Sequence, residues 1–340
     1  MRKIKVAQIG MSSYSHGSMI FESMKKQKEL FEIIGYALPE SEREKFPRQM
    51  SCLAGYNEMT VDEILHNSEI EAVVVETEEI HLTKYAQMVA DSGKHIHMEK
   101  PGGIGLLDFE KLIETVKQKK NVFHMGYMYR YNPCILELFQ KVRNGDLGEI
   151  LSVEAQMSCI HPVHTRQWLG DFPGGMMFFL GCHLIDLILQ IQGMPEKIIP
   201  LNKCTGVEGV TAKDFGMVIF EYKNGVSFAK TNACEIGGFA RRQVVVTGTK
   251  GTVELKPLEM YDECSLPYTV KTEYRNMAWN DQGECYKTNS FDRYDAMMAS
   301  FAAMVRGEKE NPYTYDYEMD LYKTIMKACG GKDNESNISK

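Results

Sequence analysis

The residues best suited to chemistry form the tripeptide Glu99-Lys100-Pro101, which closes the run Gly93-Lys94-His95-Ile96-His97-Met98. Glu71-Ala72-Val73-Val74-Val75 reads as a buried strand, Leu82 to Ser92 as a helix ended by Gly93, and His95 to Met98 as the next strand. Lys100 then falls at the carboxyl end of a parallel strand, the edge where open α/β sheets bind ligands. A lysine followed by proline is biased away from helix, so the strand stops there and its ammonium group is aimed into the crevice.

The elements that must position this lysine alternate. The sequence predicts strands at Lys3 to Ile9, Glu32 to Ala37, Ala72 to Glu76, His95 to Met98 and Val122 to Met125. Between them it predicts helices at Ile20 to Lys28, Val61 to His66, Leu82 to Asp91 and Leu106 to Lys117, the signature of a doubly wound parallel sheet. Asn132 to Asn144 reads as a helix capped by Gly145. From Ile150 the texture turns to longer strands: Leu151 to Ser158, Asp214 to Glu221, Val226 to Ala233, Gln243 to Thr247 and Thr252 to Lys256. The turns Lys223-Asn224-Gly225 and Thr249-Lys250-Gly251 join hairpins, so this sheet is mostly antiparallel. Helices at Cys182 to Gln192 and Tyr294 to Arg306 would cover one of its faces. The fold class expected is therefore α/β: a doubly wound parallel sheet over 1–126, an α+β domain with a large, mostly antiparallel open sheet over 127–330, and a flexible tail at 331–340.

Composition sets bounds on function. The 340 residues, 44% apolar and 25% charged, suit a soluble two-domain protein, and a net charge of −7 argues against a nucleic-acid surface. No apolar run reaches membrane-spanning length, and the first ten residues lack the apolar core of a signal peptide. Nine cysteines without Cys-x-x-Cys spacing read as reduced thiols, small core residues of a cytoplasmic protein. A serine-hydrolase elbow, a Walker loop and a zinc-finger spacing are absent.

Taken in order, Glu99-Lys100-Pro101, Gly126-Tyr127-Met128-Tyr129-Arg130-Tyr131-Asn132-Pro133, Gly145-Asp146-Leu147-Gly148-Glu149-Ile150, Gly174-Gly175 leading to Gly181-Cys182-His183-Leu184-Ile185-Asp186, and Val244 to Gly251 resemble the Gfo/Idh/MocA family of sugar and inositol dehydrogenases. The resemblance spans nearly the whole chain. It implies a Rossmann domain binding NAD or NADP, a small carbohydrate or polyol as substrate, and a homodimer or homotetramer built through the C-terminal sheet.

A dinucleotide fold calls for Gly-x-Gly-x-x-Gly after the first strand. Here Gly10-Met11-Ser12-Ser13-Tyr14-Ser15-His16-Gly17 keeps the first glycine only. Serines at the second and third positions, Ser12 and Ser15, are small, and their hydroxyls, with Ser13 and His16 beside them, can meet a phosphate at the amino end of the next helix. The acidic residue for the adenosine ribose is displaced to Glu40, while Ser41 and Arg43 are the alternative receivers of a 2′-phosphate. In the family a Thr-Pro-Asn run borders the nicotinamide; Thr77-Glu78-Glu79-Ile80-His81 stands there, with Thr77 matching, His81 close by and the two glutamates making an acidic rim. The resemblance makes Glu99 part of the cofactor site and Lys100 the first catalytic residue.

The family pairs its lysine with an aspartate and a histidine, but Phe179 occupies the aspartate position and only His183 is retained. Proton transfer is therefore assigned to His183, with Lys100 polarising the oxygen or sharing the proton and Asp186, three residues on, fixing the imidazole tautomer. His161, His164, Arg166 and Trp168 lie where related enzymes build a sugar pocket; Trp168 can stack on a pyranose, and Arg166, Arg130, Tyr127 and Tyr129 can bind hydroxyls or a carboxylate. No metal is expected, since the histidines lack ligand spacing. The function implied is hydride transfer between NAD(P) and a secondary alcohol of a sugar, glycoside or cyclic polyol. Glycoside cleavage through transient oxidation, and non-catalytic sensing of a sugar or nucleotide, are the alternatives.

Overall fold

A computed structural model describes residues 2–331, and the flexible tail expected at 331–340 lies, beyond Gly331, outside the described residues. The first element, β1 (Ile4–Ile9), is followed by α1 (Gly17–Lys26), β2 (Phe31–Ala37), α2 (Glu42–Lys45), α3 (Val61–His66), β3 (Ala72–Val75), α4 (Leu82–Asp91), β4 (His95–Met98), α5 (Leu106–Lys119) and β5 (Phe123–Met125). Next come α6 (Pro133–Asn144), β6 (Ile150–Gln156), α7 (Val163–Trp168), α8 (Cys182–Gln192), β7 (Lys197–Pro200), β8 (Phe215–Tyr222), β9 (Gly225–Asn232), β10 (Gln243–Gly248) and β11 (Gly251–Leu255). The short β12 (Met260–Tyr261) and β13 (Pro267–Tyr268) precede β14 (Val270–Tyr274), β15 (Glu284–Lys287), α9 (Asp295–Val305) and α10 (Tyr315–Ala328).

The chain forms two compact units. The first takes in the residues up to Met128 together with Arg293–Tyr322, and the second takes in Tyr129–Asp292 and the chain from Lys323. In the first, five strands in the order β2-β1-β3-β4-β5 pair in parallel. The all-buried Ala72-Val73-Val74-Val75 of β3 is what a strand covered on both faces requires. Register sets the functional edge: Ile9 lies beside Val75 and Val75 beside Met98, so Gly10, Glu76 and Glu99 leave the sheet at one level.

In the second unit eight strands run β15-β14-β11-β10-β6-β9-β8-β7, antiparallel throughout except where β6 meets β9. The expected hairpins β8–β9 and β10–β11 are present, and α8 packs on β6 and β9. Asn132 caps α6 by accepting from the Cys134 and Ile135 amides, and Gly145 ends that helix at φ +73°.

Two expectations need correction. The helix over Tyr294 to Arg306, expected with the second sheet, is α9 and belongs to the first unit, tied to α1 by Ser23 Oγ donating to Asp295 at 2.6 Å and to β4 by Phe301 against the His97 ring. Apolar almost all round, it gives no facing stripe from which a partner can be read. All nine cysteines are free thiols, but Cys204, Cys264 and Cys285 are exposed rather than core residues.

Candidate functional site

At the edge of the parallel sheet the chain turns from β1 to α1 through Gly10, whose φ is +93°; a Cβ there would lie 2.4 Å from the Thr77 amide nitrogen. Only glycine fits that turn. The serines do not wait for a phosphate. Ser15 Oγ donates to the Glu76 carbonyl at 2.9 Å and to the Ser12 carbonyl at 3.0 Å, and accepts the Gly17 amide. Ser12 donates its amide to the Glu76 carbonyl at 3.1 Å while its hydroxyl accepts from Tyr14. The side chains expected to reach a ligand thus stitch the loop to β3, and only Ser13 is exposed.

The acidic residue beside this loop is Glu42, not Glu40. Glu40 and Ser41 adopt left-handed backbone, at φ 57° and 58°, and swing the chain back. The Glu40 carboxylate is held by Lys84 at 2.7 Å and Tyr85 at 2.8 Å, bonds that lower it to about 2. Glu42 is fully buried; its Oε2 accepts the Met11 amide at 2.7 Å, Oε1 has no hydrogen-bond partner, and burial pushes the carboxyl up to about 8. Arg43 pairs with Glu58 at 2.5 Å. Nothing in the spacing distinguishes Glu42 from Glu40, because the two left-handed residues that decide the matter carry no sequence signature strong enough to read.

Around Lys100 the structure gathers a buried ionisable cluster. Lys100 Nζ lies 3.8 Å from Glu99 Oε1, and Glu99 Oε2 is 3.0 Å from His16 Nδ1. His97 Nε2 is 3.6 Å from Glu76 Oε1, and its Nδ1 is 2.7 Å from Nδ1 of His124, its neighbour on β5. Burial lowers His97 to about 4, so the short contact joins a ring donor to a ring acceptor. Burial also raises Glu76 well above the carboxylate range, with the Glu99 charge adding to the effect. Glu79 is pushed up to about 8 by burial, against the pull of Lys100. For Glu99, burial works upward too, but His16 and Lys100 outweigh it and hold the carboxyl low. The acidic rim expected from Glu78 and Glu79 is therefore half as charged as its residues suggest: Glu79 is a neutral acid near pH 7, and Glu78 is paired with Lys45 at 3.0 Å. Thr77 is buried against Gly10, and His81 precedes α4 with Nε2 4.0 Å from Glu40. Tyr127 is buried in the same unit.

In the second unit the expected pairing of His183 with Asp186 gives way to a different one. Asp186 grips Arg130 through two bonds of 3.0 and 2.8 Å and accepts from Gln190 at 2.9 Å. Arg130, expected at substrate, is thus a buried cation gripped by the chain's own carboxylate. His183 is buried with its ring edge-on to Tyr129 at 5.2 Å. Tyr129 donates to Glu259, and its oxygen accepts from Arg242 at 3.1 Å. Arg166, also expected at substrate, is buried and holds the 205–208 loop: it donates to the Val207 carbonyl at 3.1 Å, pairs with Glu208, and lies 3.5 Å from Asp214. Trp168 packs edge-on against Phe172 at 4.5 Å and Phe179 at 5.2 Å, and His161 faces Phe179 at 6.2 Å. Burial, with Arg242 and His164 adding to it, lowers His161 to about 4; His164 is exposed. Phe179 stands in a single π-helical turn, Met177–Gly181, a distortion that often accompanies functional positions.

Residues 4–127 match the model of an oxidoreductase family with an NAD-binding Rossmann fold, and residues 135–254 match the GFO/IDH/MocA C-terminal domain. The chain belongs to the Gfo/Idh/MocA family. It is 25% identical over 280 residues, 78% of each chain, to trans-1,2-dihydrobenzene-1,2-diol dehydrogenase from Bos taurus. To the uncharacterized oxidoreductase YhhX of Escherichia coli it is 29% identical over 139 residues, 41% of this chain and 40% of the relative. The structure of aldose-aldose oxidoreductase from Caulobacter crescentus shares the fold with a TM-score of 0.78 at 16% identity, over 97% of this chain and 98% of that one.

As a member of this family the protein is an NAD(P)-dependent dehydrogenase, and its first unit fits the cofactor on its own evidence. The glycine-only turn brings backbone close to the sheet edge ahead of α1, and Glu42 keeps a buried, unpartnered oxygen beside it. The strand order reverses between β1 and β3, the switch point at which open α/β sheets take their ligands. Among the described residues no helix is long and apolar enough to cross a membrane.

Proposed function

We propose that this dehydrogenase moves a hydride between its nicotinamide cofactor and a secondary alcohol of a sugar, glycoside or cyclic polyol, with Lys100 acting on the alcohol oxygen. The observation that carries this reading is the setting of Lys100: a buried ammonium at the carboxyl end of β4, with Glu99 at 3.8 Å and the neutral acid Glu79 in its field. The cofactor, when bound, supplies the hydride acceptor or donor. The backbone of Gly10 to Ser13 and the amino end of α1 hold the pyrophosphate, and Glu42 meets the adenosine ribose. Thr77, His81 and Glu99 border the nicotinamide. Lys100 and His183 share the proton-transfer duty that Phe179 cannot perform, and Trp168, with Phe179 and His161, supplies an apolar wall for a sugar face. The eight-stranded sheet is the proposed surface for self-association into a dimer or tetramer, and the nine free thiols suit the cytoplasm.

The test is a panel of inositols, aldoses and glycosides offered with NAD and NADP, followed through the absorbance of the reduced nicotinamide. Net accumulation with at least one polyol supports the reading. Sugar release from a glycoside without net reduction replaces it by oxidation-assisted cleavage, and failure to bind either cofactor removes it.

A further inference from the structure

Oxidising an alcohol leaves a proton on the group that takes it, and Lys100 is poorly placed to lose one to water: its side chain is 2% exposed. Two lines of polar groups run from it. One branches at Glu99, in the field of Glu76 and His97, and leads inward through these two to His124, all buried to within 1% exposure, ending against the Phe301 ring. The other leads through Glu99, 1% exposed, to His16, whose side chain is 17% exposed. Of the two, only the second reaches solvent.

Resting on the oxidoreductase reading above, we propose that Glu99 and His16 relay the alcohol proton from Lys100 to water. The carbinol carbon gives up its hydrogen with the electron pair to the cofactor, and the hydroxyl gives its proton to the Lys100 amine that is left when the resting ammonium sends its own proton down this route. The resulting ammonium donates to Glu99 Oε1, closing a 3.8 Å gap of the kind that tightens when substrate binds. The carboxyl turns so that its protonated oxygen takes the place of Oε2, 3.0 Å from His16 Nδ1, and donates to that nitrogen, and Nε2 of the imidazolium releases its proton to water. Lys100 and Glu99 end as they began, and His16, left with its proton on Nδ1, turns its ring over before the next cycle.

The surroundings favour this route. Of the four buried glutamates at the edge, Glu42, Glu76 and Glu79 are raised by burial and held as acids; Glu99 alone is held low and is ready to accept. The groups facing His16 are Glu99 from β4, Glu76 from the end of β3, and Tyr294 before α9, whose ring lies 5.4 Å away and fixes the imidazole plane. Lys100 and His97 lie behind Glu99. Glu99 and His16 act through Lys100 and are positioning residues for its proton.

The experiment compares wild type, His16→Asn and Glu99→Gln in weakly buffered solution, with cofactor affinity measured separately by nicotinamide fluorescence. The expected result is a loss of turnover of about ten- to a hundredfold in His16→Asn, largely restored by added imidazole, with cofactor affinity within about threefold of wild type. Glu99→Gln should lose as much and resist rescue, because the blocked position is shielded from added buffer. A His16→Asn enzyme at full rate, or one slowed with no response to imidazole and with weakened cofactor binding, overturns the relay while the wild-type turnover stands. A wild type that reduces neither cofactor with any polyol overturns the oxidoreductase reading, and the relay with it.

Discussion

The two units bury carboxylates in opposite ways. In the second, Asp186 is matched by Arg130 and Gln190, Asp214 by Arg166 and Thr205, Glu235 by Lys230, Arg241 and Gln156, and Glu259 by Tyr129 and Tyr261. In the first, both oxygens of Glu76 and of Glu79, and one each of Glu42 and Glu99, have no hydrogen-bond partner. A buried polar group without a partner lowers stability by about 1–3 kcal/mol, so a fold does not keep six such atoms along one sheet edge for its own sake. Matched charges belong to scaffolding; unmatched ones mark the edge where the family binds its cofactor.

The sharpest way to break this comparison is Lys100→Ala. Lys100 is the cation of the unmatched cluster, and loss of its proton transfer should lower kcat by about two to four powers of ten. Cofactor affinity, measured by fluorescence, should change only a few-fold. A variant retaining more than about a tenth of wild-type kcat, well short of that range, would take Lys100 out of the chemistry and leave the cluster a structural oddity.

The matching experiment in the second unit is Asp186→Ala, which leaves Arg130 buried without its counter-charge. Urea denaturation should show a loss of about 3–5 kcal/mol, and Arg130→Met combined with Asp186→Leu should recover most of it. If the single variant is nearly as stable as wild type, the pair is not scaffolding and the contrast between the units fails.

How far the sequence reaches depends on distance along the chain. The strand and helix periods of the first 126 residues are local, and helices such as Val61–His66 and Leu82–Asp91 and the strand His95–Met98 can be read to the residue. Lys100 is legible because a strand, a lysine and a proline are adjacent. The unmatched cluster is not, since Gly10, Glu76 and Glu99 meet only through parallel register, and Arg130 finds Asp186 across 56 residues. Sequence adjacency even misleads, pairing Asp186 with His183. The helix α10 was within reach: Leu321, Tyr322, Ile325 and Ala328 carry helical spacing and are buried. Its many tyrosines and acids hide that stripe among polar residues.

Two glycines set the comparison on a finer scale. Gly10→Ala forces a Cβ to within 2.4 Å of the Thr77 amide at φ +93°, whereas at Gly145, φ +73°, nothing lies within 4 Å of the added carbon. Both pay the left-handed penalty of about 1–2 kcal/mol. Only Gly10→Ala should also weaken NAD(P) binding, by about tenfold or more, roughly 1.4 kcal/mol, in a direct titration. Equal cofactor affinity in the two variants would detach the turn from the ligand.

The most specific effect, and the one that changes with pH, belongs to Glu79→Gln. Burial raises the Glu79 carboxyl to about 8 in the folded chain, against about 4.3 when unfolded. Between those values the folded protein holds a proton that the unfolded one has released, so stability is greatest below about pH 4.3 on this account and falls as pH rises toward 8, by about 1.4 kcal/mol per pH unit for the group. Glutamine keeps the shape of the neutral acid and does not titrate. Cofactor-free Glu79→Gln should therefore match wild type near about pH 4, within about 0.5 kcal/mol, and become the more stable of the two as pH approaches 8. Glu42, raised to about 8 by burial as well, leaves part of the slope in place, and Glu42→Gln combined with Glu79→Gln should flatten it further. Urea denaturation at several pH values reads this directly: parallel stability curves for wild type and both variants would mean that the carboxyl groups of the sheet edge are ionised after all, and that the first unit matches its charges as the second does.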